Sequence, residues 1–560
     1  MDQRPAASGA GWPLAAFACW AWACLWYPLT DTDIWWHLAS AKLMWVRREF
    51  LRTDPFCQSS LGAPWIDLHW GFQLIAYAAW KAGGAAALIA GKCLAVTFAY
   101  LLILRSHLDR KSWPWLIPLA ALGMYHARFL LDARPLALTL LGLGVQYAAT
   151  ISHLRGRLRQ PCWILIPVQA MLANLQGLYP LGALLVSFLA LGAWLERRAR
   201  EGGGIPPLRH LGLTCAAMWA AGLATPWPLE GMRLPLSLFG RIAPHDSNVF
   251  SRGIAENLPF PDLAGRDPAA ALAFAAIGGF VLWTFWKARR KPAPGHALLF
   301  AAFAALGWMA QRNLPLYLLA ALAAAGRNLQ VSLAGLDGAD DAEPRAGRRA
   351  AIAGWAALAA VCALYMPALR AARGYELPGG LVTPFRVPAG AVDFLEAHPI
   401  PGNIFNELRF GGYLDWRMYP KPAFVDGRMI LRSAGFYREF LEVVDQPDGF
   451  PAYRARYGFT HALLPIAEDK RFLPLAARLA EAGWPLLYCD GAAVLLAAPE
   501  AGIPGLPLDS IPPDHRIPAA ISSRFGANPI LRAIALRNAA EFLGAAGKAR
   551  AALDLAAPPP

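Results

Sequence analysis

Two carboxylates, Asp31 and Asp33, follow directly after the first long apolar run of the chain, residues 11–29. An acid at the edge of the hydrocarbon loses its hydration unless it faces a polar cavity, pairs with a cation or caps a helix. Asp33 can cap the helix that is predicted to begin at Ile34, whereas capping does not explain Asp31. We therefore interpret the pair as candidate catalytic residues. Their Asp-x-Asp spacing also suits a divalent metal, which stays possible.

Further polar side chains occupy short connections between apolar runs. They are Arg128 and Arg134 in the connection 128–135, Gln176 in a very short turn, Glu256 in a longer loop, and Arg312 before another apolar run. A single arginine at a helix end commonly extends to the headgroups or pairs with a nearby acid, here Asp132. Several such clusters on the side of the acidic pair favour a shared cavity, in which arginine binds a phosphate and a carboxylate deprotonates a hydroxyl. We predict that these five residues bind substrate, together with His37, which is otherwise a structural histidine.

The composition excludes a soluble enzyme of this size. The chain has 560 residues, of which 56% are hydrophobic and only 16% charged, and it contains 22 Trp. From position 370 onward, twenty Lys and Arg oppose nineteen Asp and Glu, so the net charge of +14 lies almost entirely in the preceding residues. Such an excess reports membrane topology and argues against nucleic-acid binding. The 8 Cys show no CxxC spacing, so no redox or zinc motif is predicted.

Apolar runs long enough to cross a bilayer recur up to residue 369 and not beyond. They predict an α-helical polytopic module, residues 1–369, with about eleven transmembrane helices. The predicted spans are 11–29, 84–104, 113–127, 135–151, 162–173, 177–195, 210–227, 268–286, 296–310, 314–325 and 350–369. The run 65–80 is doubtful, because Asp67, His69 and Gln73 interrupt it, and it suits an interfacial helix better than a span.

Basic residues predict the orientation of these spans. They cluster near residues 105–111, 155–159, 197–200, 287–291 and 345–349, at every second connection, as the positive-inside rule requires. The N-terminus is then cytoplasmic, whereas the first loop, residues 30–83, and everything after residue 369 face outward. If 65–80 crosses the membrane instead, the loop that carries Asp31 and Asp33 moves to the cytoplasm.

After residue 369 the pattern changes to short strands and amphipathic helices, which predicts a soluble C-terminal α/β domain over residues 370–500. Predicted strands are 403–406, 423–425, 461–464, 485–488 and 492–496, with a turn at Gly411-Gly412. A Pro-rich linker and a helical tail fill residues 501–560. Asp426 and Arg428 follow the strand 423–425, where loops often carry binding groups. We predict that they help to hold an acceptor; a local ion pair that fixes a turn is the alternative.

The motif Asp31-Thr32-Asp33-Ile34-Trp35-Trp36-His37-Leu38, with Thr53-Asp54-Pro55-Phe56 and Gly62-Ala63-Pro64-Trp65 after it, resembles bacterial membrane proteins placed near the GT-C glycosyltransferases. The resemblance continues in Ala133-Arg134-Pro135, Arg312-Asn313, Gly411-Gly412-Tyr413-Leu414 and Val425-Asp426-Gly427-Arg428, and takes in most of residues 11–500. It implies a GT-C-like fold, a catalytic acid in the first outward loop, here Asp31 or Asp33, and a donor sugar carried on a polyprenyl phosphate.

We therefore expect a glycosyltransferase of the bacterial inner membrane with a periplasmic C-terminal domain. Its expected partners are a polyprenyl-phosphate-linked sugar, membrane lipid and an extracytoplasmic acceptor, which is a glycan, a lipid or a protein. The first alternative is a non-catalytic protein of envelope assembly that binds a lipid-linked glycan. A transporter is the less favoured alternative, because transporters carry charged or broken helices near the midplane, and these spans are nearly free of charge.

Overall fold

Helices follow the apolar runs of the first 333 residues, because a backbone inside hydrocarbon satisfies its hydrogen bonds internally. The computed structural model describes residues 11–198, 208–242, 249–252, 254–333, 381–526 and 528–556. Its α-helices are α1 Gly11–Leu25, α2 Asp33–Arg47, α3 Trp70–His107, α4 Trp113–Ala127, α5 Pro135–Leu154, α6 Cys162–Ala173, α7 Pro180–Arg198, α8 Leu208–Ala221, α9 Pro228–Ile242, α10 Val249–Arg252, α11 Phe260–Arg266, α12 Pro268–Lys287, α13 Pro294–Met309, α14 Leu314–Leu333, α15 Ala389–Ala397, α16 Leu408–Met418, α17 Ala434–Asp445, α18 Phe450–Tyr457, α19 Leu473–Glu481, α20 Arg516–Phe525, α21 Pro529–Ala545 and α22 Ala549–Ala556. The prediction of a helical, multi-pass membrane protein is confirmed.

The number of membrane crossings rests on helix length. Among the described helices, five are long and apolar enough to cross: α3, α5, α7, α12 and Gln311–Leu333, which contains α14. Three further apolar helices, α1, α6 and α13, are shorter; the 12 residues of α6 reach only about 18 Å, against a hydrocarbon core of about 30 Å. The predicted span 350–369 lies outside the described residues, and the count of about eleven spans stays a prediction.

Helix α3 has 38 residues but is broken at Gly83 and Gly84, whose backbone angles are not helical. Gly84 has φ +58°, a left-handed conformation that glycine adopts without steric cost. The segment before the break, residues 70–82, is about 20 Å long and too short to cross the bilayer alone, whereas residues 85–107 reach about 34 Å. Most of the doubtful run 65–80 lies on this short segment. Its length favours the prediction that the run is an interfacial helix.

The described residues form two compact units. The first holds residues 11–27, 68–75 and 79–333, and the second holds residues 28–67, 76–78 and 381–556. The first loop thus shares a unit with the C-terminal region. Backbone hydrogen bonds contribute to this arrangement, since the Leu29 N–H donates to the Leu381 carbonyl at 2.8 Å and the Thr383 N–H donates to the Leu29 carbonyl at 3.0 Å.

The second unit contains a four-stranded sheet of β1 Asn403–Asn406, β2 Phe459–Pro465, β3 Leu486–Cys489 and β4 Ala493–Ala497, in the order β1-β2-β4-β3. Strands β1 and β2 are parallel, and the other two pairs are antiparallel. The sequence predicted all four within two residues, because their apolar runs are bounded by turn residues. The core beneath the sheet also includes side chains from α20 and α21, such as Ile517 and Phe542, so these tail helices pack into the same core.

Two local predictions in this unit were wrong. Gly411-Gly412 lies inside α16 and makes no turn, because the Glu407 carboxylate accepts the N–H groups of Arg409 and Phe410 and begins a helix there. The segment 423–425 joins no strand of the sheet. Ala423 forms a parallel bridge with Cys57 of the first loop instead, so its backbone pairs with a segment more than 360 residues away in sequence.

Candidate functional site

The acidic pair lies at the beginning of α2. The Asp31 carboxylate accepts the backbone N–H of Asp33 at 3.1 Å, and Asp31 is only 6% exposed. Asp33 is the first residue of the helix and is half-buried. Thr32 occupies the N-cap position, so Asp33 does not cap this helix as the sequence suggested, and Asp31 accepts the N–H of the first helical residue. Asp33 is the more accessible acid. Both sit where the positive end of the helix dipole stabilises negative charge.

Two glycines from the C-terminal region pack against this helix start. A Cβ atom at Gly427 would clash with Asp33 Oδ1 and would lie 3.7 Å from Trp36 Nε1. A Cβ atom at Gly412 would lie 3.2 Å from the Thr32 carbonyl oxygen and from the Trp36 backbone nitrogen. Only glycine allows so close an approach of backbone to the acid. The structure therefore brings the motifs around Asp33, Gly412 and Gly427 together within the second unit.

Four buried charged side chains, which we call the buried charge cluster, lie behind this contact. They are Asp54, Asp426, Arg428 and Arg432. Arg428 Nε donates to Asp426 Oδ2 at 2.5 Å, and Arg428 Nη2 donates to Asp54 Oδ1 at 2.7 Å. Arg432 Nη1 donates to Asp426 Oδ1 at 3.0 Å. This geometry supports the ion-pair alternative for Asp426 and Arg428, since both are enclosed; contact with an acceptor stays a prediction.

Cys57 and Asp415 adjoin the buried charge cluster. Burial and the nearby Asp426 raise the pKa of the Asp415 carboxyl well above its usual value. Burial also raises the pKa of the Cys57 thiol. For Asp426, burial opposes ionisation, but Arg428 and Arg432 outweigh it and hold the pKa below the usual range. Without a bound cation, Asp415 and Cys57 are therefore neutral, and two guanidinium groups balance two carboxylates.

His37 is also enclosed in the second unit. It lies on α2, is 3% exposed, and its ring centroid lies 3.6 Å from that of Trp36. Direct contact with a sugar is not needed to explain this packing, because a buried imidazole against an aromatic ring contributes to the stability of the helix. The role in substrate binding stays a prediction.

In the first unit, Arg134 forms an ion pair with Glu256, and both side chains are about 30% exposed. The Gln311 N–H donates to the Leu258 carbonyl at 2.9 Å, so the loop of Glu256 lies beside the turn that carries Arg312. These residues belong to three connections that are far apart in sequence, and the structure brings them to one end of the helices.

Two more predicted residues lie at the same end. Gln176 accepts a hydrogen bond from Thr139, one turn into α5, at 2.6 Å. Arg128 is 6% exposed, donates to the Tyr125 carbonyl, and lies 3.8 Å from the Tyr125 ring centroid and 4.3 Å from that of Phe129. Arg128 is thus packed among aromatic rings, whereas Arg134 and Arg312 are more accessible. That the acids of the second unit share a cavity with them stays a prediction.

Sequence reasoning missed Lys92, which lies within the predicted span 84–104. Its side chain is 3% exposed, and among the described residues no acceptor lies within hydrogen-bond distance of Nζ. The ammonium lies 3.5 Å from the Tyr27 ring centroid, and the Tyr27 hydroxyl donates to the Arg128 carbonyl at 2.8 Å. A lysine inside an apolar run was a visible signal, but averaging hydropathy over the run concealed it.

A metal-binding geometry occurs in the second unit, away from the Asp-x-Asp motif. Cys57, Asp415 and Asp426 offer ligand atoms that all lie within 4.8 Å of one another. Asp31 and Asp33, whose spacing suggested a divalent metal, do not belong to this group.

No protein-family model matches the chain, and no curated protein matches it. Among solved structures, the chain is similar to ArnT from Cupriavidus metallidurans, which was crystallised bound to undecaprenyl phosphate. The alignment covers 88% of this chain and 98% of that chain, with 13% sequence identity and a TM-score of 0.46.

Proposed function

We propose that this chain is a membrane glycosyltransferase, which moves a sugar from a polyprenyl-phosphate carrier to an extracytoplasmic acceptor. One observation carries the proposal: Lys92, Arg128, Arg134 and Arg312 gather at one end of apolar helices in the first unit. Cations in such surroundings are expensive to maintain and are typical of functional sites in membrane proteins. An anionic headgroup on an apolar chain matches both their charge and their setting.

Each cation offers the phosphate a different interaction. A guanidinium keeps its charge and binds two phosphate oxygens at once, as Arg134 can when Glu256 releases it. Lys92 supplies a compact charge deeper in the helices. Asp132 and Glu256 keep the resting site from carrying a large excess of positive charge. The resemblance to GT-C proteins supports the same assignment of the carrier.

The second unit supplies the general base for the reaction, the carboxylate of Asp33. Asp33 removes the proton from the acceptor hydroxyl, whose oxygen forms a bond to the anomeric carbon of the sugar. The bond between that carbon and the phosphate oxygen breaks, and polyprenyl phosphate leaves with the electron pair. General-base catalysis contributes about 10²- to 10⁴-fold to such a step. Asp31 holds the helix start that presents Asp33.

The positive-inside pattern supports an outward-facing reaction. The basic loops near residues 105–111, 155–159 and 287–291 mark the cytoplasmic side, which makes the N-terminus cytoplasmic and the C-terminal region periplasmic. The short helical segment before Gly84 is consistent with an interfacial helix, which keeps Asp33 on the outer side.

Asp33→Asn and Asp31→Asn, made separately, test the proposal in membranes that contain a polyprenyl-phosphate sugar. We expect Asp33→Asn to lower loss of sugar from the donor by about 10²- to 10⁴-fold with donor binding retained. Asp31→Asn should lower both activity and the stability of the helix start. Glu49→Gln, an exposed acid of the same loop, is the control. Full activity in both variants would place the base elsewhere; a wild type that binds the carrier but never consumes its sugar would favour the non-catalytic binding protein.

A further inference from the structure

Three buried side chains converge at the contact between the first loop and the C-terminal region of the second unit. Cys57 and Asp426 are fully buried, and Asp415 is 2% exposed. Cys57 is positioned by its bridge to Ala423, Asp415 by α16, and Asp426 by its two arginines. Their ligand atoms lie within 4.8 Å of one another, a span that one metal ion bridges after small side-chain rotations.

Asp415 gives an independent reason to expect a ligand. Among the described residues, no N–H or O–H group donates to either of its carboxylate oxygens, although both are buried. A buried carboxylate without a donor is costly, so it requires either a proton or a cation. A side-chain hydrogen bond joins Asp415 to Asp426 only when Asp415 is protonated, because two ionised carboxylates have no proton to share.

A bound divalent cation also leaves the charge of this region balanced. Asp54, Asp415, Asp426 and the Cys57 thiolate would carry four negative charges against the two positive charges of Arg428 and Arg432. A divalent ion balances this difference within a region that excludes water. Asp426 Oδ1 accepts from Arg432 Nη1 and from the Arg428 backbone N–H, whereas Oδ2 accepts only from Arg428 Nε at 2.5 Å and keeps a second lone pair for a metal ion.

We propose that Cys57, Asp415 and Asp426 bind one divalent transition-metal ion, and that zinc is the ion this thiolate and carboxylate set favours. Thiolate sulfur selects zinc over magnesium or calcium, and carboxylate oxygens complete zinc sites in other proteins. The ion links the first loop, through Cys57, to two neighbouring segments of the C-terminal region, through Asp415 and Asp426. It therefore stabilises the packing that holds Gly427 against Asp33, and its role is structural.

Metal analysis of the purified full-length chain tests this site. We expect about one zinc per chain in the wild type and in Cys489→Ala, which removes another buried cysteine of the same unit. Cys57→Ala and Asp415→Asn should lose that zinc. After replacement with Co²⁺, the wild type should show a thiolate-to-cobalt absorption band in the near ultraviolet, and Cys57→Ala should lack it.

Three results would overturn the proposal. The first is a wild type without stoichiometric metal, and the second is zinc that remains in both Cys57→Ala and Asp415→Asn. The third is an Asp415→Asn variant with the stability of the wild type, together with a wild-type melting temperature that chelators do not change. The third result would mean that Asp415 carries a proton and binds no metal. If the variants fail to fold, the wild type still decides, because chelation should expose the Cys57 thiol to alkylation while Cys489 stays protected.

Discussion

Lysine and arginine differ in how the first unit accommodates them. Arg134 is compensated by Glu256, and Arg128 is packed on aromatic rings. Lys92 is buried with its ammonium group against the face of Tyr27, Asp132 attracts its charge, and among the described residues no acceptor lies within hydrogen-bond distance of Nζ. A cation–π contact contributes about 2 kcal/mol when desolvated, well below the cost of burying an ammonium group that lacks a hydrogen-bond acceptor. Lys92 is therefore the residue with the most to gain from an anionic ligand.

Lys92→Met should weaken binding of polyprenyl phosphate about 10- to 100-fold, because a hydrogen bond to a charged group contributes about 1.5–3 kcal/mol. Methionine keeps the length and the apolar contacts of the side chain. Lys81→Met, an exposed position on the same helix, is the control and should bind normally. Binding of the purified chains to the lipid, measured by titration, gives the answer; equal affinities for Lys92→Met and the wild type would exclude Lys92 from the lipid site.

The residues behind Asp33 show why the site was only partly predictable. The sequence identified Asp31, Asp33, Asp426 and Arg428 from their types and their positions beside apolar runs. It did not identify Cys57, because nothing in a local pattern records a partner that lies hundreds of residues away. It also did not identify Asp415, because the strand predicted at 423–425 and the turn predicted at Gly411-Gly412 concealed that Asp415 lies on a helix beside Asp426. Such pairings form only in the tertiary structure.

At the level of elements, the start of α2 packs directly against the backbone of two glycines of the C-terminal region. Gly427 and Gly412 leave no room for a side chain there. The predicted strands of the sheet agree with the structure because alternation and turn residues encode them locally. The segment 423–425 differs because its partner is the first loop, and strand propensity alone does not reveal a partner.

Gly427→Ala should displace the Asp33 carboxylate and reduce sugar transfer nearly as far as Asp33→Asn does. The added methyl group overlaps Asp33 Oδ1, and overpacking of this kind costs about 1–3 kcal/mol. Gly435→Ala is the matched control, because the nearest atom to its Cβ would be Ser433 Oγ at 3.6 Å. The double variant Gly427→Ala/Asp33→Asn should be no worse than Asp33→Asn alone; additive losses would show that Gly427 acts by another route.

Strand β2 carries a histidine that makes the sheet sensitive to acid. His461 is fully buried, and burial, with the charge of Lys421, lowers its pKa from 6.5 to about 3. Between pH 6.5 and pH 3, His461 is protonated in the unfolded chain and neutral in the folded chain. The sheet should therefore lose up to about 1.4 kcal/mol of stability for each pH unit below about 6.5.

Hydrogen exchange of β2 in the full-length chain, measured at pH 7 and at pH 5, tests this dependence. His461→Gln should reduce the pH sensitivity, because glutamine does not titrate. His398→Gln, which alters an exposed histidine, should behave like the wild type. If His461→Gln shows the same loss of protection at pH 5 as the wild type, another group is responsible.

For the whole molecule, the distribution of basic loops predicts the side of the membrane on which each connection lies. Reporter fusions after Arg52, Asp262 and Gly449 should report the outside, and fusions after Arg159 and Arg290 the inside. Fusions expected on opposite sides of the membrane serve as controls for one another. A cytoplasmic signal at Arg52 alone would mean that the helical segment before Gly84 crosses the membrane.

The ion pair between Arg428 and Asp54 also orders events in time. The two residues are separated by 374 positions, and both belong to the second unit. At about 5–20 residues per second, the ribosome completes Arg428 roughly 20–75 s after Asp54. Until then the first loop, which also carries Asp31 and Asp33, has no arginine to pair with the carboxylate of Asp54. The ion pair of Asp54 and the close approach of Gly427 to Asp33 therefore form only after this delay, and a chain interrupted before its C-terminal third lacks both.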